Sequence, residues 1–241
     1  MRSSGSVAQQ GRTAGAASAR LVRPRRARRV TESARPAILL TETESSEPMN
    51  LQVPTIRRPA TYRDILDAPE GMVAELIDGA LHLQPRPRSR HARASSMLGA
   101  KLTPAFDEGV GGPGGWWLID EPEIHLAEDV LVPDIAGWRR ERLPVFPDAP
   151  HFALRPDWVC EVLSPSTRTY DLTAKRAIYA RHGVNHLWFV DPDAKTLEAF
   201  ELRDGSWTLI AALHDNEIVK IAPFDAVGFD LGLLWTDVGS Q

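Results

Sequence analysis

A second cysteine is missing from this chain, so Cys160 excludes an intramolecular disulfide and any Cys-x-x-Cys metal or redox motif. Its place in the apolar run Trp158-Val159-Cys160 makes it a small buried hydrophobe in a reducing compartment, and the chain reads as cytoplasmic. Long apolar runs are also absent: none approaches the roughly 20 residues needed to cross a bilayer, which argues against a membrane protein. No His-Glu-x-x-His pair occurs, and the glycine-rich stretch 109–115 lacks the lysine and the strand-to-helix placement of a phosphate loop. Ser164 stands in no nucleophile-elbow pattern. Zinc, nucleotide-dependent and acyl-transfer enzymes are disfavoured together.

Charge is spread unevenly. Residues 1–48 hold 9 of the 28 Lys and Arg but 4 of the 32 Asp and Glu, leaving the remainder with 19 bases, 28 acids and a formal charge of −9. That first segment, rich in Ser, Ala, Gly and Arg and poor in aromatics, carries the block Arg23-Pro24-Arg25-Arg26-Ala27-Arg28-Arg29 and cannot bury enough surface to fold alone. It is expected to be a disordered Arg-rich extension, with a nucleic-acid-binding arm or a transit peptide as sharper alternatives. Met49 directly precedes the first folded-looking segment, so 49–241 is expected to form one domain. An acidic body speaks against tight, non-specific DNA binding but leaves room for a local basic groove.

Within 49–241 the patterning alternates between periods. Residues 61–67 read as a short capped helix, and 72–77 and 80–84 as strands joined by Asp78-Gly79, a strong hairpin signal. Residues 89–106 have helical spacing. The runs 116–126 and 130–138 form a second antiparallel pair, and the proline-punctuated stretch 139–156 is a long loop. Strand 158–163, helix 168–182 and strand 186–191 then make a crossover unit, followed by a hairpin of 196–202 and 206–213 around Asp204-Gly205 and an edge strand over 217–221. The fold class is α/β, a mixed twisted sheet flanked by helices with added β-hairpins.

Three charged residues sit where apolar ones belong. Asp134 lies in Val130-Leu131-Val132-Pro133-Asp134-Ile135-Ala136, and neither face of that strand looks solvated. In 158–163, alternation sends Trp158, Cys160 and Val162 one way and Val159, Glu161 and Leu163 the other, as in a central strand covered on both faces. On the following helix Leu172, Ile178 and Tyr179 mark the inward stripe, and Lys175 stands in the middle of it. Buried charges are costly unless paired or bound to an ion. The bland alternatives are a structural salt bridge for Asp134, an arginine pair for Glu161 and a snorkelling stem for Lys175. Asp171, one turn before Lys175, offers a pair worth only about 0.2–0.5 kcal/mol, too little to explain an inward lysine. Two buried acids and one inward lysine point to a metal-dependent catalytic site.

The runs Val132-Pro133-Asp134, Glu161-Val162-Leu163-Ser164-Pro165-Ser166-Thr167, the Asp171 to Lys175 spacing, Tyr179-Ala180-Arg181-His182-Gly183-Val184 and Leu187-Trp188-Phe189-Val190-Asp191-Pro192 together resemble the Uma-two-type restriction endonuclease family. This family is a branch of the PD-(D/E)XK nuclease superfamily, and the likeness runs from about Tyr62 to Val238. Leu163 stands where the usual Glu-x-Lys lysine belongs, and the displaced lysine of this branch matches Lys175.

The resemblance implies a restriction-endonuclease-like domain in which Asp134 and Glu161, with the Val162 carbonyl, hold Mg²⁺ or Mn²⁺. Lys175 then orients the nucleophile or offsets developing charge, and DNA phosphodiester bonds are hydrolysed, with a homodimer as the expected assembly. Glu75 resembles the extra N-terminal acid of such sites, with an arginine pair as its alternative. His91 stands where the family often has histidine, though a lone histidine is more often structural. Glu123 is an accessory candidate from the strand paired with that of Asp134. Two rival readings share these residues: a non-catalytic nucleic-acid-binding or assembly module that keeps the fold, and an RNA-directed or repair nuclease.

Overall fold

Period-two alternation and two Asp-Gly turns set much of the architecture. The computed structural model describes residues 59–235; the extension 1–48 and Met49 lie outside the described residues. Helix α1 (Tyr62–Leu66) opens with the Asp64 carboxylate accepting the Thr61 N–H at 2.8 Å. Strands β1 (Met72–Ile77) and β2 (Ala80–Pro85) pair antiparallel around Asp78 and Gly79, whose φ values of 50° and 77° are those of a primed turn. Helix α2 (Ser89–Leu102) runs into one wide π turn, Thr103–Asp107.

The next four strands are β3 (Trp116–Asp120), β4 (Ile124–Leu126), β5 (Asp129–Leu131) and β6 (Ile135–Arg139). They form the expected antiparallel pair, but it is divided between two sheets. β3 pairs with β6 and β4 with β5, and one register runs through both halves: Asp120 faces Ile135 and Ile124 faces Leu131. By that register Pro122 stands opposite Pro133, so neither arm has a ladder donor at this level and the ribbon bends from one sheet into the other. Glu121, at φ 46°, takes the bend on one arm, and Asp134 takes it on the other. Asp134 is therefore not a strand residue, as alternation suggests, but the residue just before β6.

Strand β7 (Trp158–Val162), helix α3 (Arg168–Tyr170), a π-helical stretch Asp171–Lys175, helix α4 (Arg176–Arg181) and β8 (His186–Asp191) complete the crossover, with β7 and β8 parallel. Strands β9 (Thr196–Arg203) and β10 (Ser206–His214) form the second hairpin. The main sheet is six-stranded in the order β10-β9-β8-β7-β6-β3, and a four-stranded sheet has the order β2-β1-β5-β4. The edge strand expected over 217–221 is instead β11 (Ile218–Val219), which pairs with β12 (Phe229–Asp230) in a small sheet of its own.

Alternation on β7 divides the core. Trp158, Cys160 and Val162 pack with Ala94, Leu98 and Leu102 of α2, whereas Val159 and Leu163 pack with Ile178 and Tyr179 of α4. Gly137 on β6 lets the flanking rings close in, since a Cβ there would lie 3.2 Å from Trp116 and 3.3 Å from Trp158. No helix among the described residues is long and apolar enough to cross a membrane.

Candidate active site

The register that sets Ile135 against Cys160 puts Asp134 across from Glu161 one step further on. There the ladder is continued by a side chain: Asp134 Oδ2 accepts the Val162 N–H at 2.7 Å. Its Oδ1 lies 3.2 Å from His91 Nε2, which α2 brings from the opposite side. Burial disfavours the charged form of His91, but the bond to Asp134 and its charge, then Asp171 and the Val162 backbone, outweigh it and hold the imidazole above its ordinary range. The buried His91 Nδ1 has no hydrogen-bond partner among the described residues.

Glu161 points to the α4 face, as its place in the β7 alternation requires. Its Oε1 accepts the Tyr179 hydroxyl at 2.6 Å and lies 2.8 Å from Lys175 Nζ. Lys175 is 2% exposed and also meets Glu75 Oε1 at 3.1 Å and Asp171 Oδ1 at 3.7 Å. The π-helical stretch from Asp171 to Lys175 turns both side chains inward on the same face, and such wide turns are frequent at functional sites. Glu75, fully buried on β1, is fixed by two further bonds: Oε1 accepts the Val132 N–H and Oε2 the Gln84 amide, both at 2.8 Å.

The electrostatics follow from crowding. Burial pushes the Glu161 carboxyl well up, and the charges of Asp171, Asp134 and Glu75 add to that against the pull of Lys175. Burial works against the Lys175 ammonium, yet Glu161 and then Glu75 outweigh it and hold it far above its usual value. Burial likewise raises Asp171, with Lys175 and a hydrogen bond from Thr167 pulling the other way.

Asp134, Glu161, Asp171, Lys175 and His91 all line one cleft of about 310 Å³, with Arg86, Arg88 and Glu121 also on its wall. Glu75 supports Lys175 from behind. Glu123 is not part of this group. The register of the bent ribbon puts Glu121, two residues earlier, opposite Asp134, whereas Glu123 accepts the Tyr62 hydroxyl at 2.8 Å and meets His125 Nε2 at 2.7 Å. The expectation that Glu123 reaches the site from the paired strand overlooks the bend between the two sheets.

Sequence reasoning also misses Tyr179, Gln84, Arg86, Arg88 and Glu121. For Gln84 the signal is present: the Asp78-Gly79 turn pairs Glu75 with His82, which puts Gln84 on the same face one step along. Tyr179 reads as an apolar stripe marker, and its hydroxyl finds a use only once Glu161 is opposite.

The donor set suits a hard divalent cation. Three carboxyl groups, Glu75, Glu161 and Asp171, lie within 4 Å of one ammonium, and a fourth, Asp134, lines the same cleft. The contacts of Lys175 and Tyr179 with Glu161 both fall on Oε1, so Oε2 is engaged by neither. Carboxylate oxygens of this kind, with the Val162 carbonyl next along β7, are the ligands Mg²⁺ and Mn²⁺ prefer.

Residues 59–233 match the model of the Uma2 family, described as "Putative restriction endonuclease". Among solved structures, the chain is similar to the "putative nuclease belonging to DUF820" of Anabaena variabilis ATCC 29413, with a TM-score of 0.58, 22% identity, and coverage of 73% of this chain and 97% of that one. At that identity the likeness speaks for the fold. No curated protein matches.

Proposed function

The chain belongs to the Uma2 family of nucleases, and from that premise we propose that it is a metal-dependent endonuclease hydrolysing DNA phosphodiester bonds, with Mg²⁺ or Mn²⁺ as cofactor. The observation that carries this reading is a fully enclosed lysine, Lys175, 2.8 Å from Glu161, at a cleft shared with Asp134. Three buried acids around one lysine leave charge that a proton or a bound cation must answer.

In this reading Asp134 and Glu161 supply carboxylate ligands beside the Val162 carbonyl. Bound there, the ion acidifies a water and offsets charge on the phosphate. The Val162 N–H and His91 hold the Asp134 carboxylate in one orientation. Lys175 stays protonated and presents a fixed positive charge to the attacked phosphate. Glu75 has both oxygens engaged within the protein, which favours positioning of Lys175 over direct ligation. Arg86 and Arg88 offer the cleft wall cations for neighbouring phosphates. A homodimer would set one such site against each strand of a duplex, and the mass in sedimentation tests for it.

The rival, a binding module that keeps the fold, draws on the same ion pairs of Lys175, which a structural lock also needs. Incubation of supercoiled, linear and single-stranded DNA, with RNA alongside, in Mg²⁺, Mn²⁺ or EDTA separates the two. Cleavage of DNA that needs metal and is abolished by Asp134→Ala and Glu161→Ala, with unchanged circular dichroism, is the expected result. Retained cleavage in Glu161→Ala, or metal-independent DNA binding with no cleavage, overturns the proposal.

A further inference from the structure

A second group of metal-ligating side chains stands apart from the cleft. Glu123 and His125 flank Ile124 on and beside β4, so alternation puts both on one face. His151 reaches them from the long loop 139–156, where Phe152 docks on β4 by two backbone bonds: the Phe152 N–H donates to the Glu123 carbonyl, and the His125 N–H to the Phe152 carbonyl, each at 2.9 Å. That docking stacks the rings of His125 and His151 with centroids 3.8 Å apart and 11° between planes. One ligand atom from each of Glu123, His125 and His151 lies within 4.8 Å of the other two.

The packing leaves this trio incomplete. Among the described residues His151 Nδ1 has no hydrogen-bond partner, and a buried orphan nitrogen in a native fold calls for an ion or a water. Glu123 is oriented from outside by the Tyr62 hydroxyl, as outer partners orient metal-bound carboxylates. Two imidazoles and one carboxylate are a borderline-soft donor set, unlike the all-oxygen set of the cleft, and in tetrahedral zinc sites such ligands lie about 2.0–2.2 Å from the ion. His125 Nε2 meets Glu123 Oε1 at 2.7 Å, and the two rings, now parallel, must turn about their Cβ–Cγ bonds to aim a nitrogen each at one ion.

We propose that Glu123, His125 and His151 bind Zn²⁺, or a similar transition-metal cation, at a second site distinct from the cleft of Asp134 and Glu161. A cation there would tie three segments together: α1 through Tyr62, β4 through Glu123 and His125, and the long loop through His151. Its role is to fasten the long loop to the smaller sheet.

The test uses the untagged full chain after chelation and dialysis. Titration with Zn²⁺ in excess Mg²⁺, which occupies the cleft, should show a site that raises the melting temperature, and Co²⁺ should give visible absorption bands of a low-coordinate nitrogen-oxygen site. His151→Gln, which removes an imidazole whose Nδ1 bonds to nothing in the fold, should keep the metal-free melting temperature and lower Zn²⁺ affinity at least tenfold. Glu161→Gln should leave Zn²⁺ binding at this site unchanged, so the result does not depend on the nuclease reading. Equal Zn²⁺ affinity in wild type and in the His125→Gln, His151→Gln double variant overturns the proposal. So does a zinc site lost in Glu161→Gln and kept in that double variant.

Discussion

Strand β7 carries an acid at each end of its run, and the two are solved differently. Asp157, just before the strand, accepts the Arg139 N–H at 2.9 Å and meets Arg142 Nη1 at 2.5 Å, and the Arg142 side chain is 29% exposed. Each oxygen has a donor, and the cation that answers the charge keeps contact with water. Glu161, four residues on, shares a single enclosed lysine with Glu75 and Asp171 while Asp134 lies across the cleft. The first arrangement is closed and balanced. The second sets three acids around one base, an excess that a bound divalent cation would balance. Burial alone does not distinguish them; the balance of acids against bases does.

The largest effect should come from Lys175→Met. The stem packing survives, but Glu75 and Glu161 lose their shared cation, and breaking a buried pair from one side costs about 3–5 kcal/mol. Urea denaturation at neutral pH should show that loss, and cleavage measured where the variant is still folded should fall by roughly 10² or more. A variant as stable and as active as wild type would mean that Lys175 is a spectator.

Asp157→Asn sharpens the contrast at the other end. One oxygen is kept for the Arg139 N–H, but the charged bond to Arg142 is lost, at about 1–3 kcal/mol. Cleavage per folded molecule should not change. If it falls as it does for Glu161 variants, the two ends of β7 are not functionally separate.

Arg86→Ala and Arg88→Ala should have the smallest effect. Both face the cleft and carry no structural role comparable to that of Lys175. Each should weaken DNA binding much the same across sequences, and the slope of log K against log salt should become shallower by roughly 0.9 per lost phosphate contact. An unchanged slope places the DNA elsewhere on the surface.

Much of this contrast is legible in the amino-acid sequence. Glu161 and Lys175 stand out because strand and helix periodicity assign them to apolar faces, and both are buried in the fold, although Lys175 sits in a π-helical stretch that interrupts the expected helix. The two hairpins are legible because Asp-Gly fixes a turn geometry that few other pairs adopt. The bend of the ribbon is not: two prolines far apart in sequence matter only because the register sets them opposite each other, and register is a tertiary fact. The same gap explains why Glu123 is assigned to the wrong cleft and why Glu121, Arg86 and Arg88 go unnoticed. The Glu123, His125 and His151 group is illegible for a related reason, since His151 joins it only through the docking of Phe152 on β4.

The central claim is that the Glu161 end of β7 is charge-unbalanced because it holds a divalent cation for hydrolysis. Melting temperatures of wild type and Glu161→Gln, each in EDTA and in saturating Mg²⁺, test it most directly. Without metal, removing one acid from the crowded set should leave the variant level with or above wild type. With metal, wild type should gain stability by mass action, about 2.7 kcal/mol at a hundred times Kd, and the variant should gain little. A variant that melts well below wild type in EDTA, with no shift by Mg²⁺ in either protein, would contradict the account and make Glu161 a structural acid like Asp157.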